Sequence, residues 1–327
     1  MEWAIIDYIF GSAGGFIGLP IAQALVRAGH QVFGQTRSQN KAKQLIAEES
    51  EYTKQSIKSY QQFWLTTNLV IPVVGEVDKP AEWIGIVKDL DAVIECVGGS
   101  ADIKMVSEVA LVAVSKAAEE LRPKGSPKLT YIYTSGTWVH GDDRKETITD
   151  TTPIRPTNEL VAWRPAREQE VISNPNVNGI VIRPSLLYGR SGSLLAPFFK
   201  SASEGDVWYP GTPGGRFAVI HVDDLADLYV RAVEKAAISG GLIFDAANDQ
   251  TESVDDVLAT LVKVSGAQKP YEYRKPANGM SFPGLIWFRR EFKLLTTHYF
   301  QFSVWSSPRN YHTSQALPCE DSTWLAT

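Results

Sequence analysis

A glycine-rich segment near the start of the chain is the first feature with evident chemistry. Residues 11–18 read Gly-Ser-Ala-Gly-Gly-Phe-Ile-Gly, after an apolar run at 4–10 and before a helical stretch that ends near residue 29. Backbone amides without side chains in the way can approach a pyrophosphate at the positive end of a helix. The order strand, glycine turn and helix therefore predicts a dinucleotide site, whose phosphates we assign to Gly11, Ser12, Gly14, Gly15, Phe16, Ile17 and Gly18.

The end of the second predicted strand indicates which dinucleotide binds. This strand, residues 31–36, follows the glycine turn at the spacing of a βαβ unit and finishes at Arg37-Ser38. An acidic residue at this place would accept from the ribose 2′-hydroxyl, whereas an arginine offers donors to a 2′-phosphate and keeps its charge. We therefore expect Arg37 and Ser38 to bind NADP(H) rather than NAD(H).

A polar cluster follows the fifth predicted strand, residues 129–134. It comprises Thr134, Ser135, Thr137 and His140. The hydroxyl groups can donate a hydrogen bond to a carbonyl oxygen, and an imidazole is a suitable proton donor near neutral pH. Ser135, Thr137 and His140 are therefore the candidate catalytic residues for chemistry on a carbonyl or hydroxyl group.

The elements that must position these residues alternate between strands and helices of ten or more residues. Such alternation predicts an α/β fold with a parallel sheet covered on both faces, in which ligands lie beyond the carboxyl ends of the strands. Small residues that end the fourth strand would let the chain pass beneath a cofactor, namely Val97, Gly98 and Gly99. We expect a core at 1–185 and a lobe at 186–327, of which 220–265 returns to the core.

Composition limits the classes of partner. The 327 residues are 44% hydrophobic and 21% charged, and the net charge of −5 gives no footprint for nucleic acid. The longest apolar stretches have strand length, so no membrane span is expected, and the N-terminus shows no secretion signal, so we expect a cytoplasmic location. Cys96 and Cys319 form no metal-binding pattern and are expected to be reduced.

Three further motifs, in order, give the chain a resemblance to a known superfamily. They are YIYTSGTWVHG at 131–141, IRPSLLYG at 182–189 and IHVDDLADLYVRA at 220–232. With the glycine turn they make the chain similar to the extended short-chain dehydrogenase/reductases, in particular the NAD(P)-dependent epimerase/dehydratase branch and its atypical members. The resemblance implies a doubly wound Rossmann sheet with a smaller C-terminal substrate lobe. It also implies cofactor contacts at Thr134, Pro184, Leu186 and Leu187, and a substrate contact at Tyr188.

The resemblance fails at the residues that carry the superfamily's chemistry. There a serine or threonine acts with a Tyr-x-x-x-Lys pair, whereas the best match here is Trp163-x-x-x-Arg167, and Gly136 falls near the serine position. An indole does not ionise near neutral pH, so Trp163 cannot transfer a proton and is left as a substrate contact. Arg167 can donate to ribose hydroxyls but cannot relay a proton. The resemblance therefore implies that cofactor binding survives and that tyrosine-centred proton transfer does not.

Three functions remain open on the sequence alone. The first is an NADP(H)-linked enzyme of specialised metabolism that acts on a small apolar carbonyl or hydroxyl compound. The second is an isomerase, dehydratase or cyclase in which the dinucleotide is structural. The third is a dinucleotide-sensing regulator similar to NmrA-like proteins. Similar proteins are commonly dimers, so a homodimer is also an open alternative, and the roles of residues 51–68 and of the tail after 276 are not assigned.

Overall fold

The structure is a computed structural model, which describes most of the first 274 residues. The described residues are 6–46 except 11–14, then 70–98, 102–141, 148–149, 151–156, 159–190 and 193–274. Four of the predicted site residues lie outside this set, namely Gly11, Ser12, Gly14 and Gly99, as do the segment 51–68 and the tail after 276.

The described residues form twelve strands and eight helices, besides short 3₁₀ turns. The strands are β1 (Ile6–Phe10), β2 (Gln31–Thr36), β3 (Ile71–Val74), β4 (Ala92–Glu95), β5 (Leu129–Thr134), β6 (Val177–Pro184), β7 (Leu186–Tyr188), β8 (Trp208–Pro210), β9 (Arg216–His221), β10 (Ile243–Ala246), β11 (Thr251–Ser253) and β12 (Glu272–Arg274). The helices are α1 (Gly18–Arg27), α2 (residues 39–46), α3 (Ile103–Leu121), α4 (Arg164–Ile172), α5 (Ala196–Ser203), α6 (Val222–Glu234), α7 (Ala236–Ser239) and α8 (Val254–Ser265).

Seven strands form one parallel sheet in the order β3-β2-β1-β4-β5-β6-β10. The chain builds outwards from β1 to β3 and then crosses back to place β4 on the other side of β1. The connection after β1 and the connection after β4 therefore run in opposite directions along the sheet. A crevice opens between them at the carboxyl ends of these strands. The predicted doubly wound α/β fold is confirmed.

Helices cover both faces of this sheet, as the apolar character of its strands requires. Helices α1 and α6 pack on one face, in a core that includes Leu25, Leu225 and Tyr229. Helices α3 and α4 pack on the other face, in a core that includes Val114 and Val171. No described helix combines the length and the apolar composition that a bilayer crossing requires.

A second, smaller layer lies C-terminal to β6. Strand β9 pairs parallel with β7 and antiparallel with β11, and β8 pairs parallel with β12. Their apolar core includes Leu186, Phe198, Tyr209, Phe217 and Leu258, from three strands and from helices α5 and α8. Within the span 220–265, α6 packs on α1 and β10 joins the large sheet, whereas β11 and α8 belong to this second layer.

Local sequence decides the capping of three helices. Asp102 accepts a hydrogen bond from the Met105 amide at the start of α3, and Ser253 accepts one from the Asp256 amide at the start of α8. His221 caps α6 in the same way. Between β3 and β4 the chain forms 3₁₀ turns at Pro80–Glu82 and Ile84–Asp89. A proline start, a glycine and three β-branched residues in so short a stretch disfavour an α-helix.

Helix α4 lies directly on the backbone of β6. A Cβ atom built on Gly179 would lie 2.0 Å from the carbonyl oxygen of Val171, so no larger residue fits there without a shift of the backbone. The close approach holds the charged side chains of α4 near the carboxyl ends of β5 and β6.

Candidate functional site

The first turn of α1 supplies the predicted phosphate site. Ile17 occupies the N-cap position and makes no side-chain hydrogen bond, and the first turn contains no acidic residue. The amides of this turn are therefore left with the partial positive charge of an uncapped helix N-terminus, which suits an anion. Gly15, Phe16 and Ile17 are partly exposed at this end, and Gly18 begins the helix.

Arg37 lies at the carboxyl end of β2, the strand that neighbours β1 in the sheet. Its side chain is exposed, and the chain continues directly into α2. Ser38 is the capping residue of that helix, since its Oγ accepts a hydrogen bond from the amide of Lys41 at 3.3 Å. A guanidinium beside a helix N-terminus is a favourable environment for a phosphate.

The end of β4 leaves room beside the crevice. Val97 is half-buried and Gly98 is exposed, and a Cβ atom built on Gly98 would meet no atom of the described residues within 4 Å. Gly98 therefore leaves space beside the backbone at the strand end where a cofactor is expected from the sequence.

Residues 135–140, here called the β5 loop, bring the predicted catalytic residues together after β5. Ser135 Oγ donates to Glu168 Oε1 at 2.5 Å, and His140 Nε2 lies 2.8 Å from Asp245 Oδ2. Thr137 Oγ1 differs from both, because it is buried and makes no hydrogen bond to any described residue. An unsatisfied buried hydroxyl is costly, so Thr137 is the group of this loop that is best placed to bind a ligand.

Thr134, the last residue of β5, is engaged on both of its polar oxygens. Its Oγ1 lies 2.6 Å from the hydroxyl of Tyr229 on α6, and its carbonyl oxygen accepts from Arg164 Nη1 at 3.1 Å. Contacts from both faces of the sheet thus fix the strand end from which the β5 loop begins.

The structure places Arg164, and not Arg167, at the carboxyl end of β5. Arg164 Nη1 donates to the hydroxyl of Tyr133 at 2.8 Å as well as to Thr134. Arg167 points towards helix α3, where it pairs with Glu108 at 3.4 Å, and it also pairs with Glu170 at 2.6 Å. The cation of α4 that lies nearest to the predicted cofactor edge is therefore Arg164, whereas the Tyr-x-x-x-Lys spacing pointed to Arg167.

Trp163 lies one residue before α4 and supports Arg164. The guanidinium carbon of Arg164 is 4.8 Å from the centre of the indole ring, and the indole N–H donates to the Leu160 carbonyl at 2.9 Å. With its only donor engaged, Trp163 is a stacking surface for the arginine.

The segment after β6 forms the far wall of the site. The carbonyl oxygen of Pro184 would lie 3.8 Å from a Cβ atom built on Gly136, so this segment runs beside the β5 loop. Leu186 is buried in the second layer, and Leu187 is partly buried against the core around α1. The hydroxyl of Tyr188 accepts from Asn248 at 3.3 Å, and burial raises its pKa.

Glu95, at the end of β4, is a buried carboxyl beside this site. Its side chain faces α3 and α4 and accepts a hydrogen bond from the Tyr131 hydroxyl. Burial raises the pKa of Glu95, and the Tyr131 hydrogen bond opposes that shift only in part.

Replacing Glu95 with glutamine is expected to raise the free energy of unfolding at pH 8. A carboxyl whose pKa is higher in the folded state than in the unfolded state stabilises the fold when protonated, and this stabilisation is lost as pH rises through the folded-state pKa. The advantage of Glu95→Gln should therefore shrink as pH falls towards about 4. Urea unfolding at several pH values measures the difference in free energy of unfolding between Glu95→Gln and the unchanged protein. The exposed Glu159→Gln is the control. A less stable Glu95→Gln at pH 8 would contradict the sign.

Three buried charged residues at this edge were not predicted from the sequence. They are Glu168 on α4, Arg183 on β6 and Asp245 on β10. The available signal was a charge inside an otherwise apolar strand, as in Ile182-Arg183-Pro184 and Phe244-Asp245-Ala246. Such a charge predicts a partner, because an unpaired charge is rarely buried.

Comparisons with known proteins agree with this architecture. The model of the NAD-dependent epimerase/dehydratase family matches residues 8–246. The dTDP-glucose 4,6-dehydratase of Bacillus anthracis, solved in complex with NAD, is 15% identical, with a TM-score of 0.66 over 89% of this chain and 87% of that one. The UDP-N-acetylglucosamine 4-epimerase of Methanobrevibacter ruminantium is 14% identical, with a TM-score of 0.62 over 90% of each chain.

A conserved protein of unknown function from Silicibacter pomeroyi is also similar, at 18% identity and a TM-score of 0.62 over 88% of this chain and 89% of that one. No curated protein matches the chain. At these identities the solved structures support the fold, and the match of the family model covers most of the chain.

Proposed function

The chain belongs to the NAD-dependent epimerase/dehydratase family, and on this basis we propose that it is an NADP(H)-dependent enzyme that reduces or oxidises a small apolar carbonyl or hydroxyl compound. The observation that carries the proposal is the exposed Arg37 at the N-terminus of α2, in line along the sheet edge with the uncapped first turn of α1. A dinucleotide that carries a 2′-phosphate would meet positive potential at both places.

The described residues fit such a cofactor. The first turn of α1 would hold the pyrophosphate, Arg37 the 2′-phosphate, and the open backbone at Gly98 would lie along the cofactor. The chemistry that bound NADPH would supply is a hydride for the carbonyl carbon, and solvent would supply the proton for the carbonyl oxygen. Thr137 would donate a hydrogen bond to that oxygen and so stabilise the charge that develops on it.

The second layer supports an apolar substrate. Its core side chains are aliphatic or aromatic, and the partly buried Tyr188 packs against this core. Pockets for small molecules are mostly apolar with a few polar groups, and the hydroxyls of Thr137 and Tyr188 are the polar groups that we propose for this one.

Replacement of Arg37 by alanine is expected to weaken NADP⁺ binding about 10- to 100-fold, because the charge-assisted hydrogen bonds to the 2′-phosphate are lost. NAD⁺ has no such phosphate, so its affinity should stay the same. Isothermal titration calorimetry with both dinucleotides measures the difference, and Lys43→Ala, an exposed lysine of α2, is the matched control. Equal losses for NADP⁺ and NAD⁺, or no binding of either by the unchanged protein, would overturn the proposal.

A second candidate is an isomerase, dehydratase or cyclase, which the family itself favours because it includes epimerases and dehydratases. Turnover assays on the same protein preparation separate the two candidate functions. Turnover that requires NADPH or NADP⁺ and changes the absorbance of the nicotinamide supports the redox enzyme. Turnover that is equal with oxidised, reduced or no cofactor supports the second candidate, and binding to a partner protein that depends on redox state supports a regulator.

A further inference from the structure

Five polar residues, four near the carboxyl ends of β5, β6 and β10 and one on helix α4, form a buried network that the proposed reaction does not use. We call it the buried charge network, and its members are Ser135, Glu168, Arg183, Asp245 and His140, each at most 8% exposed. Removing charged groups from water is expensive unless they are paired and hydrogen-bonded. A network that places two carboxylates and a guanidinium here must therefore be held in a defined geometry.

Arg183 is the centre of the buried charge network. Its Nε and Nη2 donate to the two oxygens of Glu168 at 2.9 and 2.5 Å, which is the paired geometry that a guanidinium forms with a carboxylate. Its Nη1 lies 3.5 Å from Asp245 Oδ1. One side chain on β6 thus links helix α4 on one side with strand β10 on the other.

Both carboxylates also reach the β5 loop. Glu168 Oε1 accepts from Ser135 at the start of the loop, and Asp245 Oδ2 lies 2.8 Å from Nε2 of His140 at its end. The loop between these two contacts carries Thr137, whose hydroxyl makes no hydrogen bond to the described residues. The two ends of a six-residue segment are therefore tied, through Glu168 and Asp245, to the same guanidinium.

We infer that Arg183 is a positioning residue that holds the β5 loop at both ends and so fixes Thr137 in the site. In this arrangement Ser135 and His140 anchor the loop, and they do not serve as proton donors. The kinetic part of the inference rests on the proposed function, since it concerns the reaction at Thr137. The structural part, that the loop is held through Arg183, stands independently of any reaction.

The test combines a charge-removing and a charge-retaining variant. Asp245→Asn keeps the shape of the side chain and removes its charge. Arg183→Lys keeps a positive charge but lacks the fork that joins Glu168 to Asp245. The control is Asp249→Asn, an exposed carboxylate four residues after Asp245.

Asp245→Asn and Arg183→Lys are each expected to speed amide hydrogen exchange in residues 136–141 about tenfold. Exchange in strand β5 should not change, because the opening is local. Turnover (kcat) should fall about tenfold or more while KM and the Kd for NADP⁺ stay constant, since misplacement of one group affects the reaction more than binding. The double variant should be no worse than the more affected single variant, because both changes break the same link.

Three results would overturn the inference. They are unchanged exchange in residues 136–141, losses of kcat that multiply in the double variant, and losses of activity that match a smaller folded fraction. If the unchanged protein shows no turnover, the proposed function fails, yet the exchange measurement still decides whether the loop is held through Arg183. If Arg183→Lys does not fold, Asp245→Asn against its control decides alone.

Discussion

Thr137→Val is expected to remove most of the turnover and to make the protein slightly more stable. Valine has the shape of threonine without the hydroxyl, and that hydroxyl is buried with no hydrogen-bond partner among the described residues. Loss of a donor that stabilises a developing oxyanion lowers kcat about 100- to 1000-fold. Loss of an unsatisfied polar atom from the interior raises the free energy of unfolding by about 1 kcal/mol. Opposite signs for activity and stability are the signature of a group kept for a ligand.

The control is Thr137→Ser, which keeps the hydroxyl and should retain most of the activity. Turnover by nicotinamide absorbance, unfolding in urea and the Kd for NADP⁺ are measured for the three proteins. The Kd should be the same in all of them, because the residues that we propose to bind the phosphates lie elsewhere. Full activity of Thr137→Val would mean that the hydroxyl does not face the reacting oxygen.

Arg183→Met is expected to lower the free energy of unfolding by about 3 to 5 kcal/mol, because it leaves two buried carboxylates without the guanidinium that they share. Methionine retains much of the volume of the arginine stem, so the loss reports charge more than packing. For a protein of this size a loss of this magnitude lowers Tm by several degrees. Adding Glu168→Gln to this variant should recover part of the stability, since one uncompensated charge is removed.

The matched control for this prediction is Arg167→Met. Arg167 is as buried as Arg183, but the carboxylates that it contacts, Glu108 and Glu170, have side chains that are 59% and 56% exposed. Water can solvate those carboxylates when the arginine is removed, so the expected loss is about 1 kcal/mol or less. Equal losses in the two variants would show that burial of the partner carboxylates does not decide the energy.

The large sheet could be predicted because most of its strands contain an apolar run bounded by turn or helix signals. The second layer could not be predicted in the same way. Strands β7, β8 and β11 have three residues each and show no period of their own, and their partners lie up to dozens of residues away in the chain. Pairing across such distances leaves no local pattern.

The site shows the same division. Residues at strand ends could be placed along one edge because parallel strands align their carboxyl ends, and the structure brings Arg37, Gly98 and Thr137 to that edge. The choice between Arg164 and Arg167 could not be made, because it depends on the rotation of α4 against the sheet. The pairing of Arg183 with Glu168 joins residues 15 positions apart on different elements, which composition does not report.

The absence of a side chain at Gly179 has a consequence far from this residue. Any Cβ atom there would push Val171 and its helix outwards, and the ends of Glu168 and Arg164 would retreat from the strand tips by a comparable distance. Hydrogen bonds of 2.5 to 3.1 Å do not survive a retreat of an ångström. Gly179, which lies outside the proposed site, thus sets the distance between helix α4 and the sheet. The hydrogen bonds of Glu168 and Arg164 depend on that distance.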